Sequence, residues 1–134
     1  MRKSSPYNRI MKKVPYTTEL DFPWLGKKIK FEVKERVVDK GFSVFADGKH
    51  YFNILDKMVT IVKGEEVKYY RLSYYLYNEQ KDRLIYGGQW SFFDTVYQIE
   101  DLLTKAVESE KFPELTEMIF RLYNIVEKVT NEKK

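Results

Sequence analysis

The chain contains no cysteine and only one histidine, His50. The absence of cysteine excludes a disulfide scaffold, a thiol nucleophile and every zinc or iron–sulfur site with cysteine ligands. A single histidine argues against a catalytic triad and against a metal site built from histidines. We therefore expect a protein that is not an enzyme and that uses no metal and no cofactor.

Long apolar runs are also missing. No run approaches the roughly 18 residues that cross a bilayer, and the basic residues among the first 19 have no apolar block behind them. These absences predict no membrane partner, no secretory signal and a cytoplasmic location. The chain does have 134 residues, of which 43% are hydrophobic and 16% aromatic, so we expect one ordinary hydrophobic core.

The charge is uneven along the chain. Residues 1–50 hold 12 lysines and arginines against six acids, whereas residues 91–134 hold six against nine. A basic front half favours a polyanionic partner, because clustered lysine and arginine attract phosphates regardless of sequence. The alternative is an ordinary lysine-rich, solvated surface.

The periodicity divides the chain into two parts. Residues 1–26 contain three prolines and no sustained period, which predicts a basic, loosely ordered N-terminal arm. Residues 27–38 alternate apolar and charged side chains, as a strand with one buried face does. Turn signals at Asp47–Gly48 and Gly64–Glu65 separate the β-rich runs that follow. Residues 27–134 are therefore predicted to form a single α+β domain, with an antiparallel sheet of about five or six strands over 27–88.

Two C-terminal α-helices are predicted over residues 91–131. The apolar period becomes helical near Ser91 and stops near Ser109, and Pro113 stands where a first-turn proline opens a second helix. The second helix has an apolar stripe wider than a coiled-coil seam. This stripe predicts a homodimer, and the candidate dimerisation residues are Leu115, Met118, Leu122, Ile125 and Val129. The alternative is a hairpin of the two helices that packs over the sheet.

The strand predicted over residues 67–77 has two unlike faces. One face carries Tyr70, Leu72, Tyr74 and Leu76, and the other alternates tyrosines with Arg71 and Ser73. Aromatic and cationic side chains together can stack unpaired bases and hold phosphates. The candidate nucleic-acid-binding residues are Lys30, Lys34, Arg36, Tyr69, Arg71, Tyr75 and Tyr77. The alternative is that these tyrosines pack beneath the C-terminal helices.

A metal-dependent nuclease is a third hypothesis. Asp56, Glu66 and Lys68 match the spacing of an acid followed by Glu-x-Lys on a strand, where carboxylates hold magnesium and the lysine orients water. Five acid-x-lysine pairs occur in the chain, so the motif carries little information. We predict no catalytic residue and no metal ligand.

In layout the chain resembles the archaeal ThermoDBP-type single-stranded-DNA-binding proteins, and more distantly the PC4 and Whirly group. The resemblance rests on the basic strand over 27–38, the aromatic strand over 67–77 with its return over 83–86, and the heptad-like helical end. It implies a groove for unpaired DNA and a helical dimer contact. The function expected is sequence-tolerant binding of single-stranded nucleic acid, most simply DNA. A protein-interaction module, such as an inhibitor or regulatory subunit with a tyrosine-rich face, is the alternative.

Overall fold

The computed structural model describes residues 5–41, 48–88 and 96–133. Within them the chain forms five strands and three α-helices. The first elements are helix α1 (Pro6–Lys12), strand β1 (Tyr16–Phe22) and, after a short 3-10 turn, strand β2 (Lys27–Val38). They are followed by β3 (Lys49–Val62), β4 (Glu65–Asn78), β5 (Arg83–Gly88), α2 (Val96–Ser109) and α3 (Pro113–Glu132).

The five strands form one antiparallel sheet in the order β1-β2-β3-β4-β5. The predicted fold class, an antiparallel sheet followed by two C-terminal helices, is confirmed. The β3–β4 hairpin turns at Lys63–Gly64, where both residues have positive φ (52° and 79°), as a tight two-residue hairpin turn requires. Residues 49–62, between the two predicted turn signals, form the single strand β3.

The N-terminal segment differs from the loosely ordered arm that the sequence predicts. Ser5 caps α1 by accepting a hydrogen bond from the Asn8 amide, and β1 pairs with β2 from Tyr16–Val33 to Phe22–Lys27. Ile10 is fully buried in a cluster with Val38 and Ile54. This segment therefore supplies an edge strand and part of the core.

The sheet has two faces that are covered by different helices. The inner face, on which Arg36, Asp56 and Arg71 point, is covered in part by α1. The outer face holds Val37 and Leu55, which pack against three residues of the C-terminal helical region: Leu102, Ala106 and Phe112. The predicted start of α2 near Ser91 lies outside the described residues.

The inner face brings side chains of β1 and β4 together. The Tyr16 hydroxyl on β1 accepts a hydrogen bond from Arg71 Nη2 on β4 at 2.9 Å, although two strands lie between them. Three strand spacings amount to about 14 Å, which the long tyrosine and arginine side chains bridge. The β2–β3 register shifts between Val33 and Glu35, and an irregularity of this kind bends the strand that contains it.

Candidate functional site

The inner face is organised around a buried ionic network. Arg36 donates from Nε to Asp56 Oδ1 at 2.6 Å and from Nη2 to Asp56 Oδ2 at 2.9 Å. Arg71 Nη2 donates to the same Oδ2 at 3.0 Å. The side chains of Arg36 and Asp56 are both 0% exposed, and a bidentate arginine–carboxylate pair satisfies the geometry that such burial demands.

The network keeps both guanidinium groups charged. Burial would lower the pKa of Arg36, but the hydrogen bond and the charge of Asp56 outweigh it and raise the pKa. The same balance of burial against Asp56 raises the pKa of Arg71. Two arginines share one carboxylate, so the network holds one excess positive charge.

Beside the network lies a cleft of about 440 Å³ on the inner face. Six residues line it: Lys13, Tyr16, Thr18, Arg71, Tyr75 and Tyr86. The rings of Tyr75 and Tyr86 meet edge to face with centroids 5.2 Å apart. Lys13 Nζ lies 4.5 Å from the centroid of the Tyr75 ring, and the Arg71 guanidinium lies 5.6 Å from that of Tyr86. The cleft therefore combines aromatic walls with two cations.

A second depression, of about 570 Å³, lies at the β1–β2–β3 end of the sheet. We call it the lysine groove, because four lysines line it: Lys27, Lys28, Lys30 and Lys34. All four are exposed, and Ile61, which also lines the groove, is 65% exposed. Glu32 and Glu66 are the acids in the lining, and Glu66 lies 3.6 Å from Lys34 Nζ. The groove therefore has a cationic rim with apolar surface inside it.

The structure divides the predicted nucleic-acid-binding residues between these two places. Lys30 and Lys34 lie on the lysine groove, whereas Arg71 and Tyr75 line the inner cleft. Arg36 is only 4% exposed and is fully engaged with the network. These residues therefore do not form one continuous surface.

The two remaining predicted tyrosines also lie on the inner face of β4. Tyr69 is 45% exposed and meets Phe31 edge to face at 5.3 Å. Tyr77 donates its hydroxyl hydrogen to Asp82 at 2.7 Å, and this hydrogen bond, with burial, raises its pKa.

The face of β4 that carries the predicted binding residues is exposed at Tyr69 but buried at Tyr75, which is 4% exposed. Leu72, on the opposite face, is 43% exposed. The covering element is α1, since Ile10 and Tyr75 share one cluster with Phe52. The sequence does not predict this cover, because residues 1–26 are expected to form a loosely ordered arm.

Four further residues line the cleft that are not among those predicted from the sequence: Lys13, Tyr16, Thr18 and Tyr86. A signal for β1 is present in the sequence: Tyr16, Thr18, Leu20 and Phe22 alternate with polar or acidic residues, and their burial alternates in the same way. Pro15 and Pro23 flank this short alternating stretch, and because prolines favour turns and loops, the stretch does not stand out as a strand.

Helix α3 is attached to the sheet at its first turn. Glu114 accepts hydrogen bonds from Lys68 Nζ and from the Tyr70 hydroxyl, each at 2.8 Å. The bond from Lys68, helped by the Glu114 backbone amide and by Tyr70, lowers the pKa of Glu114 to about 2. Burial and the bond to Glu114 raise the pKa of Tyr70 to about 12. These contacts, together with the buried Phe112 just before the helix, attach the start of α3 to the outer face of the sheet.

Beyond this first turn, α3 is open along its length, and none of its residues is buried. Of the predicted dimerisation residues, Leu115 packs against the outer-face cluster. The other four are exposed: Met118 at 38%, Leu122 at 50%, Ile125 at 57% and Val129 at 45%. Leu103, Val107 and Ile119 line a groove of about 410 Å³ between α2 and α3, so the apolar surface continues from one helix onto the other.

The three residues of the nuclease hypothesis do not meet. Asp56 is opposite Arg71 in the β3–β4 register, whereas Glu66 is opposite Ile61, five residues along β3. Asp56 is bound to two arginines, Glu66 lies beside Lys34, and Lys68 is bound to Glu114. In the described ranges there is no group of three or more His, Cys, Asp or Glu placed to hold a metal ion.

Comparison with protein-family models, with curated proteins and with solved structures finds no match for this chain. Among the residues that the structure describes, no helix has the length and apolar character to cross a membrane.

Proposed function

We propose that the protein binds single-stranded nucleic acid through the lysine groove. The observation that carries the proposal is the set of four exposed lysines around an exposed apolar surface at one end of the sheet. Lysines along a groove follow a phosphate backbone in a sequence-tolerant way, and the exposed Ile61 side chain offers apolar surface between them. The proposal includes no catalytic step.

Single strands suit this surface better than duplex DNA. Duplex recognition commonly places a helix with basic side chains in the major groove. Over its described length α2 carries one lysine, and the cations of α3 are Arg121 and Lys128. The dense cationic row lies on β2 instead, where an extended strand of nucleic acid can run along the sheet.

The proposal is tested by measuring the salt dependence of binding with a fluorescent oligothymidine. For single strands the slope of log K against log salt is about −0.7 per phosphate neutralised, so Lys30→Ala together with Lys34→Ala should flatten it by about 1.4. Arg36 is left unchanged, because its buried guanidinium cannot reach a phosphate without breaking the Asp56 pair.

Lys128→Ala together with Lys133→Ala is the matched control. It removes the same charge from the C-terminal end of the chain, at α3 and the residue just after it, distant in sequence from the groove, and should leave the slope within error of the wild type. Equal flattening by both double variants would show only nonspecific attraction to net charge. If no oligonucleotide binds at low salt, the proposal is replaced by its alternative, a protein-interaction module. The interface of such a module would lie on a surface other than the face that contains the buried Tyr75.

The proposal also includes a homodimer formed through α3. The exposed stripe repeats at the spacing that packs one helix against another, and it continues into the groove between α2 and α3. A second copy of the chain offers a helix of the same length and spacing. It would cover both the stripe and the groove in a four-helix contact.

A further inference from the structure

The inner cleft contains an unsatisfied donor on a buried cation. Arg71 is 9% exposed, and its Nη2 donates to Asp56 and Tyr16. Its Nε is buried, and within the described part of the chain no group accepts a hydrogen bond from it. Nε is therefore closed to a ligand, but the positive charge of Arg71, which lines the cleft, attracts an anion.

The charges at the cleft match a dianion. The network contributes one excess positive charge from Arg36, Arg71 and Asp56, and Lys13 at the cleft adds a second. A phosphate monoester carries a charge of about −1.5 to −2 at neutral pH, whereas a carboxylate or an internal phosphodiester carries only one. The excess of two positive charges therefore favours the phosphate monoester.

The rings at the cleft match a flat organic group attached to that phosphate. Tyr16, Tyr75 and Tyr86 supply three aromatic side chains to a lining that also holds the Thr18 hydroxyl. The volume of about 440 Å³ lies within the range of roughly 300 to 1,000 Å³ that is usual for small-molecule sites. A nucleobase beside these rings and a phosphate on the cations would use both features of the cleft.

We infer that the inner cleft is a binding site for a nucleoside monophosphate. The phosphate monoester lies against the Arg71 guanidinium and Lys13 Nζ, and the base lies among the tyrosine rings. This site is separate from the lysine groove, which lies at another part of the sheet and contacts a phosphodiester backbone. The monoester has two sources, a free mononucleotide or the phosphorylated end of a strand.

The first test is calorimetric titration of the full chain with thymidine monophosphate, thymidine and inorganic phosphate at fixed ionic strength. We expect one molecule of the monophosphate to bind per chain. Thymidine lacks the charge and phosphate lacks the ring, so each should bind at least about tenfold more weakly. Equal affinity for thymidine and its monophosphate, or no binding of the monophosphate, would overturn the inference.

The second test determines whether the phosphate contacts the cations of the cleft. Arg71→Gln is the direct variant, but it removes one partner of buried Asp56 and can unfold the chain, so Lys13→Ala is used beside it. Lys13 is exposed, and its loss should weaken monophosphate binding by about two- to fivefold without altering that of thymidine. The matched control is Lys12→Ala, one position away on α1 and outside the cleft lining. Equal weakening by both variants would place the phosphate elsewhere.

The third test separates the two sources by competition. Two oligothymidines, one with a terminal phosphate and one with a terminal hydroxyl, compete with bound thymidine monophosphate. Displacement by the phosphorylated oligonucleotide identifies a strand end as the ligand, and displacement by neither identifies the free nucleotide as the ligand. Displacement by a hydroxyl-ended oligonucleotide as efficient as that by the phosphorylated one would contradict monoester recognition. The Lys30 and Lys34 double variant should lose strand affinity yet retain the mononucleotide, so failure of the groove proposal and failure of the cleft inference give different results.

Discussion

The residue with the largest predicted effect on stability is Asp56. It is the only carboxylate that the described contacts place on Arg36 and Arg71, and it is 0% exposed. Removing one partner of a buried ion pair leaves uncompensated charge, so Asp56→Ala should lower the free energy of unfolding by about 3 to 5 kcal/mol. Chemical denaturation monitored by tryptophan fluorescence measures this loss.

The control for Asp56 is a surface pair on the same sheet. Lys34 and Glu66 are 3.6 Å apart, with side chains 41% and 47% exposed. Exposed pairs contribute about 0 to 1 kcal/mol, so Glu66→Ala should change stability little. A similar loss for both variants would mean that the inner network is no more important to the fold than a surface contact.

At the scale of the elements, α1 is predicted to be part of the fold. The Ile10 side chain of α1 is fully buried against the inner face of the sheet. Ile10→Ala should therefore lower the free energy of unfolding by about 2 to 5 kcal/mol through the cavity it leaves. Lys12→Ala on the exposed side of the same helix should cost much less. Thermal unfolding measures both variants, and an unchanged melting temperature for Ile10→Ala would restore the loosely ordered arm predicted from the sequence.

The sequence predicts the long elements well because each carries its own period. β2 alternates apolar and charged residues, β4 contains five tyrosines, and Pro113 begins α3 as expected from its fixed φ. The face of β4 that is buried is not predictable in the same way. Both faces carry aromatic residues, so the choice depends on which distant segment covers the sheet, and that segment is α1.

In the candidate site too, local sequence patterns predict the exposure of some residues, whereas the positions of others depend on how the strands pair. Lys30 and Lys34 are exposed as predicted, because alternation within β2 alone places them opposite Phe31 and Val33. Arg36 lies beyond the register shift after Val33, which rotates the strand and turns this arginine toward Asp56. The alternation that predicts Lys30 therefore fails six residues later.

At the scale of the whole molecule, the proposed dimer connects α3 to nucleic-acid binding. A dimer carries two lysine grooves, and two linked sites engage one long strand more tightly than either alone when the spacing permits. Oligonucleotides long enough to span both grooves should therefore bind more tightly per site than short ones. A variant that breaks the α3 contact should therefore remove that difference while leaving short oligonucleotides bound as in the wild type.

The dimer is tested by placing charge in the α3 stripe. The wild type should sediment at twice the chain mass of 16.2 kDa, and Leu122→Glu with Ile125→Glu should sediment at the monomer mass, because buried glutamates oppose helix packing. No residue of α3 is buried within one chain, so the melting of the sheet should survive this double change. Lys128→Glu, an exposed charge change on α3 outside the predicted dimerisation stripe, is the control and should remain dimeric. A wild type that stays at 16.2 kDa up to high micromolar concentration would rule out the α3 dimer.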